Sequence, residues 1–172
     1  MKLDIFSTTC FEHRKGSFGI YDEEEDGKEK NPAIIVPIED ERRIASVKNE
    51  NRRDVFYVPL DKSISLWKDV RGKESLCDVL LIVIYPEQKY GFYLVELKDK
   101  GRSWLNSGIA QLSSTISIME RSYFLSCLIK KVAYLANKKH PKSNHSHMQK
   151  MEEFRRETGF RLIIGTEVKI EE

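Results

Sequence analysis

Nowhere in this sequence do the roughly 18 consecutive apolar residues of a membrane-spanning helix occur. The longest uninterrupted apolar run, Val79 to Tyr85, is the size of a strand. Cysteine is scarce: Cys10, Cys77 and Cys127 lie far apart, with no CxxC pair, which argues against both a disulfide framework and a thiolate zinc site. Met1 to Phe6 is too short and too mixed to be the apolar core of a secretory signal. A glycine-rich phosphate loop of the P-loop or dinucleotide type is also missing. These absences set aside membrane, secreted and nucleotide-loop readings, and lead us to expect a cytoplasmic domain with no membrane partner.

What is present suits one domain. The 172 residues are 40% hydrophobic and 33% charged, enough for a modest core under a heavily charged surface. We expect a single domain over residues 1–172, with its core at about 54–166. The net charge of +2 hides an asymmetry. From Lys98 to Arg161 there are 13 Lys or Arg against 5 Asp or Glu, while the remainder carries 16 against 22. The second half is therefore expected to face an anionic partner.

Patterning predicts a mixed α/β chain. Ala33 to Ile38 and Val55 to Leu60 are short β-prone runs, and between Gly16 and Asn31 the charged segment Tyr21 to Lys30 reads as an exposed loop. Ile44 to Lys48 is expected to pair with Asp54 to Val58 across Asn49-Glu50-Asn51 as a hairpin. Ser63 to Asp69 fits either a helical turn or an edge strand. Asp78 to Tyr85 and Phe92 to Lys98, separated by Pro86 to Gly91, are strands with apolar residues at odd and even positions alike, as in a sheet covered on both faces. Helical spacing follows at Leu105, Ile109, Leu112, Ile116 and Met119, and again at Leu125, Leu128, Ile129, Val132 and Leu135. Lys138 to His147 breaks that pattern. Met148 to Thr158 is expected to be a short polar helix ending at Gly159, with strands at Phe160 to Gly165 and Glu167 to Ile170.

Three charged residues stand out against the apolar strands: Asp78, Glu96 and Lys98. Hydrolysis of a phosphodiester with a hard divalent cation needs oxygen ligands and a cationic group where charge develops. A hairpin about Pro86 to Tyr90, with paired residue numbers summing to about 176, sets Asp78 opposite Lys98 and Leu80 opposite Glu96. The two-residue period of a strand puts Glu96 and Lys98 on one face. The three polar groups then gather at one end of the hairpin. The competing reading is a solvated salt bridge at i and i+2 with an Asp in a turn. Charge at the end of a strongly apolar strand, directly before a helix, favours the functional one.

Asp78, an apolar hairpin, Val95-Glu96-Leu97-Lys98 and a helix bearing Gln111 together resemble the PD-(D/E)xK nuclease superfamily. The resemblance implies a restriction-endonuclease-like αβββαβ core, a mixed central β-sheet flanked by helices, here with an irregular β-rich N-terminal part. It implies Mg²⁺ or Mn²⁺ bound by Asp78, Glu96 and the backbone carbonyl of Leu97. Lys98 would act on the attacking water and the developing charge. Gln111, in Gly108-Ile109-Ala110-Gln111-Leu112, resembles the helical Gln of the RecB and Cas4-like branch. Thr115 stands where that branch has Tyr, and Cys77 where many members have Pro. Some relatives add a Glu from a first helix; Glu41 and Glu50 lie in a segment that does not read as helical.

Other side chains complete the expectations. Lys100, Arg102, Lys130, Lys131, Lys138 and Lys139 are candidates for following a nucleic-acid backbone, joined by Lys142, Arg155 and Arg156. Trp104 and Tyr123 could stack on bases. His140, His145 and His147 read as a solvated tract rather than a metal site, and Cys127 has no local support as a nucleophile. The expected function is metal-dependent hydrolysis of nucleic acid, DNA in the first instance, by a homodimer or larger assembly. The alternative is a catalytically inactive nuclease-fold subunit that binds nucleic acid or a partner protein.

Overall fold

A strand that is apolar on both faces must be covered on both. The computed structural model supplies the two covering layers. It describes residues 12–23, 31–60, 75–99, 103–122, 125–139 and 147–172. The strands are β1 (Glu12–Arg14), β2 (Phe18–Tyr21), β3 (Ile34–Val36), β4 (Ala45–Lys48), β5 (Asp54–Pro59), β6 (Val79–Tyr85), β7 (Lys89–Lys98), β8 (Lys130–Asn137), β9 (Arg161–Ile164) and β10 (Glu167–Lys169). The helices are α1 (Trp104–Ser122) and α2 (Met148–Thr158). A six-stranded sheet runs β1-β5-β6-β7-β8-β9, and a four-stranded sheet runs β10-β4-β2-β3. Among the described residues the fold is therefore mixed α/β, with two sheets, two helices and mostly strands. Neither described helix is long and apolar enough to cross a membrane.

The two faces of the large sheet carry two cores. Leu80, Ile82, Phe92, Leu94, Ala133, Leu135, Leu162 and Ile164 pack with Leu112, Ile116, Met119 and Phe154 of the helices. Val79, Leu81, Val83, Tyr93, Val95, Val132 and Tyr134 pack instead with Phe18, Ile20, Val47 and Val168 of the small sheet. Alternation along β6 and β7 thus sends even-numbered residues to the helices and odd-numbered ones to the second sheet. Gly108 permits the close approach of α1: a Cβ there would stand 2.4 Å from Leu135 Cδ1. Gly159 closes α2 in the left-handed conformation (φ 71°) that the sequence predicts for it.

Four expectations change. Tyr21 to Lys30 does not begin as exposed loop, because Tyr21 ends β2 and Asp22 is buried, while residues 24–30 lie outside the described residues. The hairpin between β4 and β5 does not form; the two strands lie in different sheets, β4 between β2 and β10 and β5 between β1 and β6. Leu125 to Leu135 is not a helix. It is a 3₁₀ turn at Leu125–Cys127 followed by β8, parallel to β7. The helical spacing there is coincidental, because Val132 to Asn137 is buried on both faces and every face of that run must be covered.

The fourth change is a register shift. The β6–β7 turn is only Pro86–Gln88, with Tyr85 already paired to Lys89, so paired numbers sum to 174 rather than 176. Leu80 faces Leu94, not Glu96. A shift of two residues leaves every side chain on its predicted face, whereas a shift of one would invert them all. The turn needs positive φ at Glu87 (60°) and Gln88 (56°), a conformation uncommon for residues with a Cβ. Ser63 to Asp69 lies outside the described residues.

Candidate active site

β6 begins where β7 ends, so the first residues before β6 and the last residues of β7 share one end of the large sheet. Val79 pairs with Val95, and one further step of that register brings Asp78 level with Glu96. Glu96 is even-numbered in β7 and so lies on the helix side, while Asp78 stands beside it at the strand's end with its carboxylate on the Leu97 N–H. Glu96 is fully buried (0% exposed) and Asp78 nearly so (6%). Lys98, two residues on from Glu96, reaches back so that Nζ lies 2.5 Å from Glu96 Oε1. The lysine side chain is 12% exposed, so this pair is largely screened from solvent.

Helix α1 completes the arrangement. Lys98 Nζ also donates to Gln111 Oε1 (2.6 Å), and Gln111 Nε2 donates to the carbonyl of Leu76 (3.2 Å). One helical turn later, Thr115 Oγ1 accepts from the Cys77 N–H (2.8 Å) and donates to the Gln111 carbonyl (2.8 Å). The segment entering β6 is therefore fastened to α1 at two successive residues, immediately before Asp78. Asp78 in turn holds β7, its Oδ2 accepting from the Leu97 N–H at 2.6 Å. A carboxylate thus takes a backbone donor of β7 just beyond the last paired residues of β6.

The charges are felt nearby. Burial pushes the Cys77 thiol well above its usual range, and the Glu96 and Asp78 carboxylates add to that effect, so Cys77 is a protonated, packed side chain rather than a nucleophile. Tyr57 is likewise raised by burial and then by Asp78, and its hydroxyl donates to the Ala33 carbonyl (2.7 Å).

The remaining candidates divide sharply by position. Lys138 and Lys139 follow β8 at the same end of the sheet: the Lys138 N–H donates to the Lys98 carbonyl (3.3 Å), and Lys139 Nζ donates to the Asp99 carbonyl (2.8 Å). Lys130 and Lys131 lie at the other end. Lys130 pairs with Gly91, seven residues before Lys98, which is about 23 Å along the strand. They are separated from the cluster because their segment is a strand parallel to β7 and not a helix. Trp104 is buried and meets the His147 ring edge-on, leaving little face for a base. Glu41 and Glu50 are exposed, and Glu50 follows β4 directly. Lys100, Arg102, Tyr123, His140, Lys142 and His145 lie outside the described residues.

Thr115 and Gly108 are the residues whose structural parts the sequence reading left unassigned. The i, i+4 spacing of Gln111 and Thr115 was a usable signal, because it puts both polar groups on one side of a helix whose stripe is otherwise apolar. Neither family models nor curated proteins nor solved structures give a match to this chain.

Proposed function

We propose that this protein is a divalent-metal-dependent nuclease whose site is Asp78, Glu96 and Lys98, supported by Gln111. The observation that carries the reading is that Asp78 and Glu96 stand level at one end of β6 and β7, Asp78 bound to the Leu97 N–H, with Lys98 held between Glu96 and Gln111. The order β5, β6, β7, α1, β8 also supports a restriction-endonuclease-like core: an antiparallel meander, then a helix, then a strand parallel to the third. Among the described residues no helix precedes β5.

The donor chemistry fits Mg²⁺ or Mn²⁺. Asp78, Glu96 and the Leu97 carbonyl would supply hard oxygen ligands. Among the described residues no group of three His, Cys, Asp or Glu is arranged for a metal, so the backbone carbonyl is needed to complete the protein's share of ligands. A bound cation would polarise the scissile phosphate and lower the pKa of a water. The chain's own residues then do the rest. Lys98 offers a positive charge to the attacking water and to the oxygens that gain charge as phosphorus becomes five-coordinate. Gln111 fixes the ammonium through one hydrogen bond, and its other end fixes the strand that carries Asp78. Glu96, now paired with Lys98, would hold the cation together with Asp78, and Lys98 would then keep its charge for the substrate side.

A second reading, an inactive nuclease-fold subunit, draws on the same geometry. The Glu96–Lys98 pair and the Asp78–Leu97 bond satisfy one another inside the fold, as structural polar groups do. Cleavage of plasmid and oligonucleotide DNA with and without Mn²⁺, beside calorimetric titration of Mn²⁺, separates the two. The nuclease reading expects both signals in the wild type and neither in Asp78→Ala. Absence of metal binding in the wild type favours the inactive subunit.

A further inference from the structure

On the opposite face of the large sheet from Glu96 lies a cleft of about 330 Å³ lined by Glu41, Arg43, Ile44, Ser46, Lys138 and Thr166. It sits between the end of β8 and the turn that leads into β4. Its two cations are held in an unusual way. Arg43 Nε donates to Ser46 Oγ (2.9 Å), and its Nη1 donates to the Asp40 carbonyl (2.8 Å). Lys138 Nζ donates to the Glu41 carbonyl (2.5 Å). Both are therefore aimed by neutral oxygens, and among the described residues neither is in an ion pair. The neighbouring arginine shows the contrast: Arg42 is forked onto the Asp40 carboxylate (2.7 and 3.1 Å) and holds that carboxyl down at about 2. Asp40 is held chiefly by Arg42, and Arg43 adds only a smaller through-space attraction without pairing with it.

We propose that this cleft is a phosphodiester-binding site for the backbone of nucleic acid engaged at the Asp78–Glu96–Lys98 end, an inference that rests on the nuclease reading. Guanidinium and ammonium groups fixed by neutral oxygens, with charge to spare, are the chemistry that recognises phosphate oxygens. Ser46, which accepts from Arg43, keeps its own hydroxyl hydrogen to donate. The one carboxylate among the lining residues, Glu41, leaves the cleft with a net charge of about +1, which suits a singly charged phosphodiester better than a phosphate dianion. The position is also right. The Lys138 N–H bonds to the Lys98 carbonyl, so a strand passing over the end of β7 and β8 meets Lys98 on the helix side and Lys138 on the other.

The test is fluorescence anisotropy with a labelled DNA duplex in EDTA, across a salt series, for wild type, Lys138→Gln, Arg43→Gln, Arg43→Lys and the far-end control Lys130→Gln. Each Gln variant should weaken binding about tenfold near 0.1 M salt and reduce the slope of log K against log salt by about one, whereas Arg43→Lys should restore the slope. Lys138 is exposed, so its variant reports even if Arg43→Gln does not fold. Unchanged affinity and slope in Lys138→Gln, equal loss in Lys130→Gln, or no wild-type binding at low salt would each overturn the proposal. So would inorganic phosphate binding more tightly than DNA. The nuclease reading is judged separately by Mn²⁺-dependent cleavage. Cleavage with an unchanged KM in Lys138→Gln sinks the cleft alone, and a Lys138-dependent DNA affinity without any cleavage sinks the nuclease alone.

Discussion

Two ion pairs tie lysine to glutamate at opposite ends of the large sheet, and they live in different physical worlds. At one end Lys98 and Glu96 are 2.5 Å apart with side chains 12% and 1% exposed. At the other, Lys130 and Glu171 are 3.3 Å apart and 29% and 30% exposed. Water screens the second pair and leaves it little net energy. It reaches the first only at the lysine's edge, and removing Lys98 leaves the fully buried Glu96 charge with little solvent to replace it. The fold carries such an arrangement where α1 supplies Gln111 to the lysine and Thr115 and Gln111 to the strand beside it. A buried, hydrogen-bonded charge cluster is the arrangement from which a site can be built; an exposed pair is ordinary surface.

The largest difference should appear in turnover. Lys98→Met should lower Mn²⁺-dependent cleavage by about 10²–10³ while metal affinity persists, because the lysine acts on the water and on developing charge and is no ligand. Glu96→Ala should lose both metal affinity and turnover. Single-turnover cleavage together with calorimetry reads the two. Equal loss of metal binding in both variants would assign Lys98 to the metal's support rather than to chemistry.

Stability should separate the two ends next. In EDTA, Lys98→Met strands Glu96 without its cation and should cost about 3–5 kcal/mol in urea unfolding. Added Mn²⁺ should recover part of that loss, since a ligand of the native state stabilises it by mass action. A cost below 1 kcal/mol would mean that the buried end behaves like the exposed one.

The two regions also differ in how far they could be read from sequence. β6, β7, α1 and α2 were legible because their apolar patterning is long and bounded by Pro, Gly or charge, and face assignment survived the two-residue register error because its parity was even. β8 was not legible. Leu125, Leu128, Ile129, Val132 and Leu135 recur at helical steps by chance, and only the neighbouring β7 makes the segment a strand. Read as a strand, the segment sets Lys130 and Lys131 at the far end of the sheet from Lys98. Likewise, nothing local in Ala45–Lys48 says that its partners are β2 and β10 and not the adjacent β5, because such pairing depends on which face a distant core covers. Asp78, Glu96 and Lys98 stood out because charge interrupts apolar strands, whereas Gln111 flanks the apolar stripe of its helix and was marked only by the resemblance. Gly108 was hidden, because its meaning is the 2.4 Å approach to Leu135.

Between the extremes lies Thr115. Thr115→Val keeps the shape but leaves the buried Cys77 N–H without its acceptor, which should cost about 1–3 kcal/mol. Thr115→Ser should restore most of it. If Asp78 depends on this fastening, the Val variant should also weaken Mn²⁺ affinity. A stability loss with metal affinity intact would make Thr115 part of the packing only.

The smallest effect belongs to the exposed end. Lys130→Ala should change unfolding free energy by less than about 1 kcal/mol. Glu171 keeps a second cation in Arg161, so one lost lysine does not leave it alone. Its backbone is held independently: the Tyr85 hydroxyl donates to the Glu171 carbonyl (3.1 Å), and the Glu171 N–H donates to the Tyr93 hydroxyl (3.2 Å). Those two hydroxyls also bond each other at 2.7 Å, and burial, foremost, raises Tyr93 far above the ordinary phenol range, so the latch stays protonated at any pH where the protein is handled. What Lys130 does contribute is Coulombic and solvent-exposed. It should therefore vanish by about 1 M salt, where the screening length falls to about 3 Å. The Lys98 pair, largely buried, should keep most of its mutational cost across the same series in EDTA. Parallel salt dependences for Lys130→Ala and Lys98→Met would place both pairs in solvent and remove the basis for treating the Glu96 end as a site.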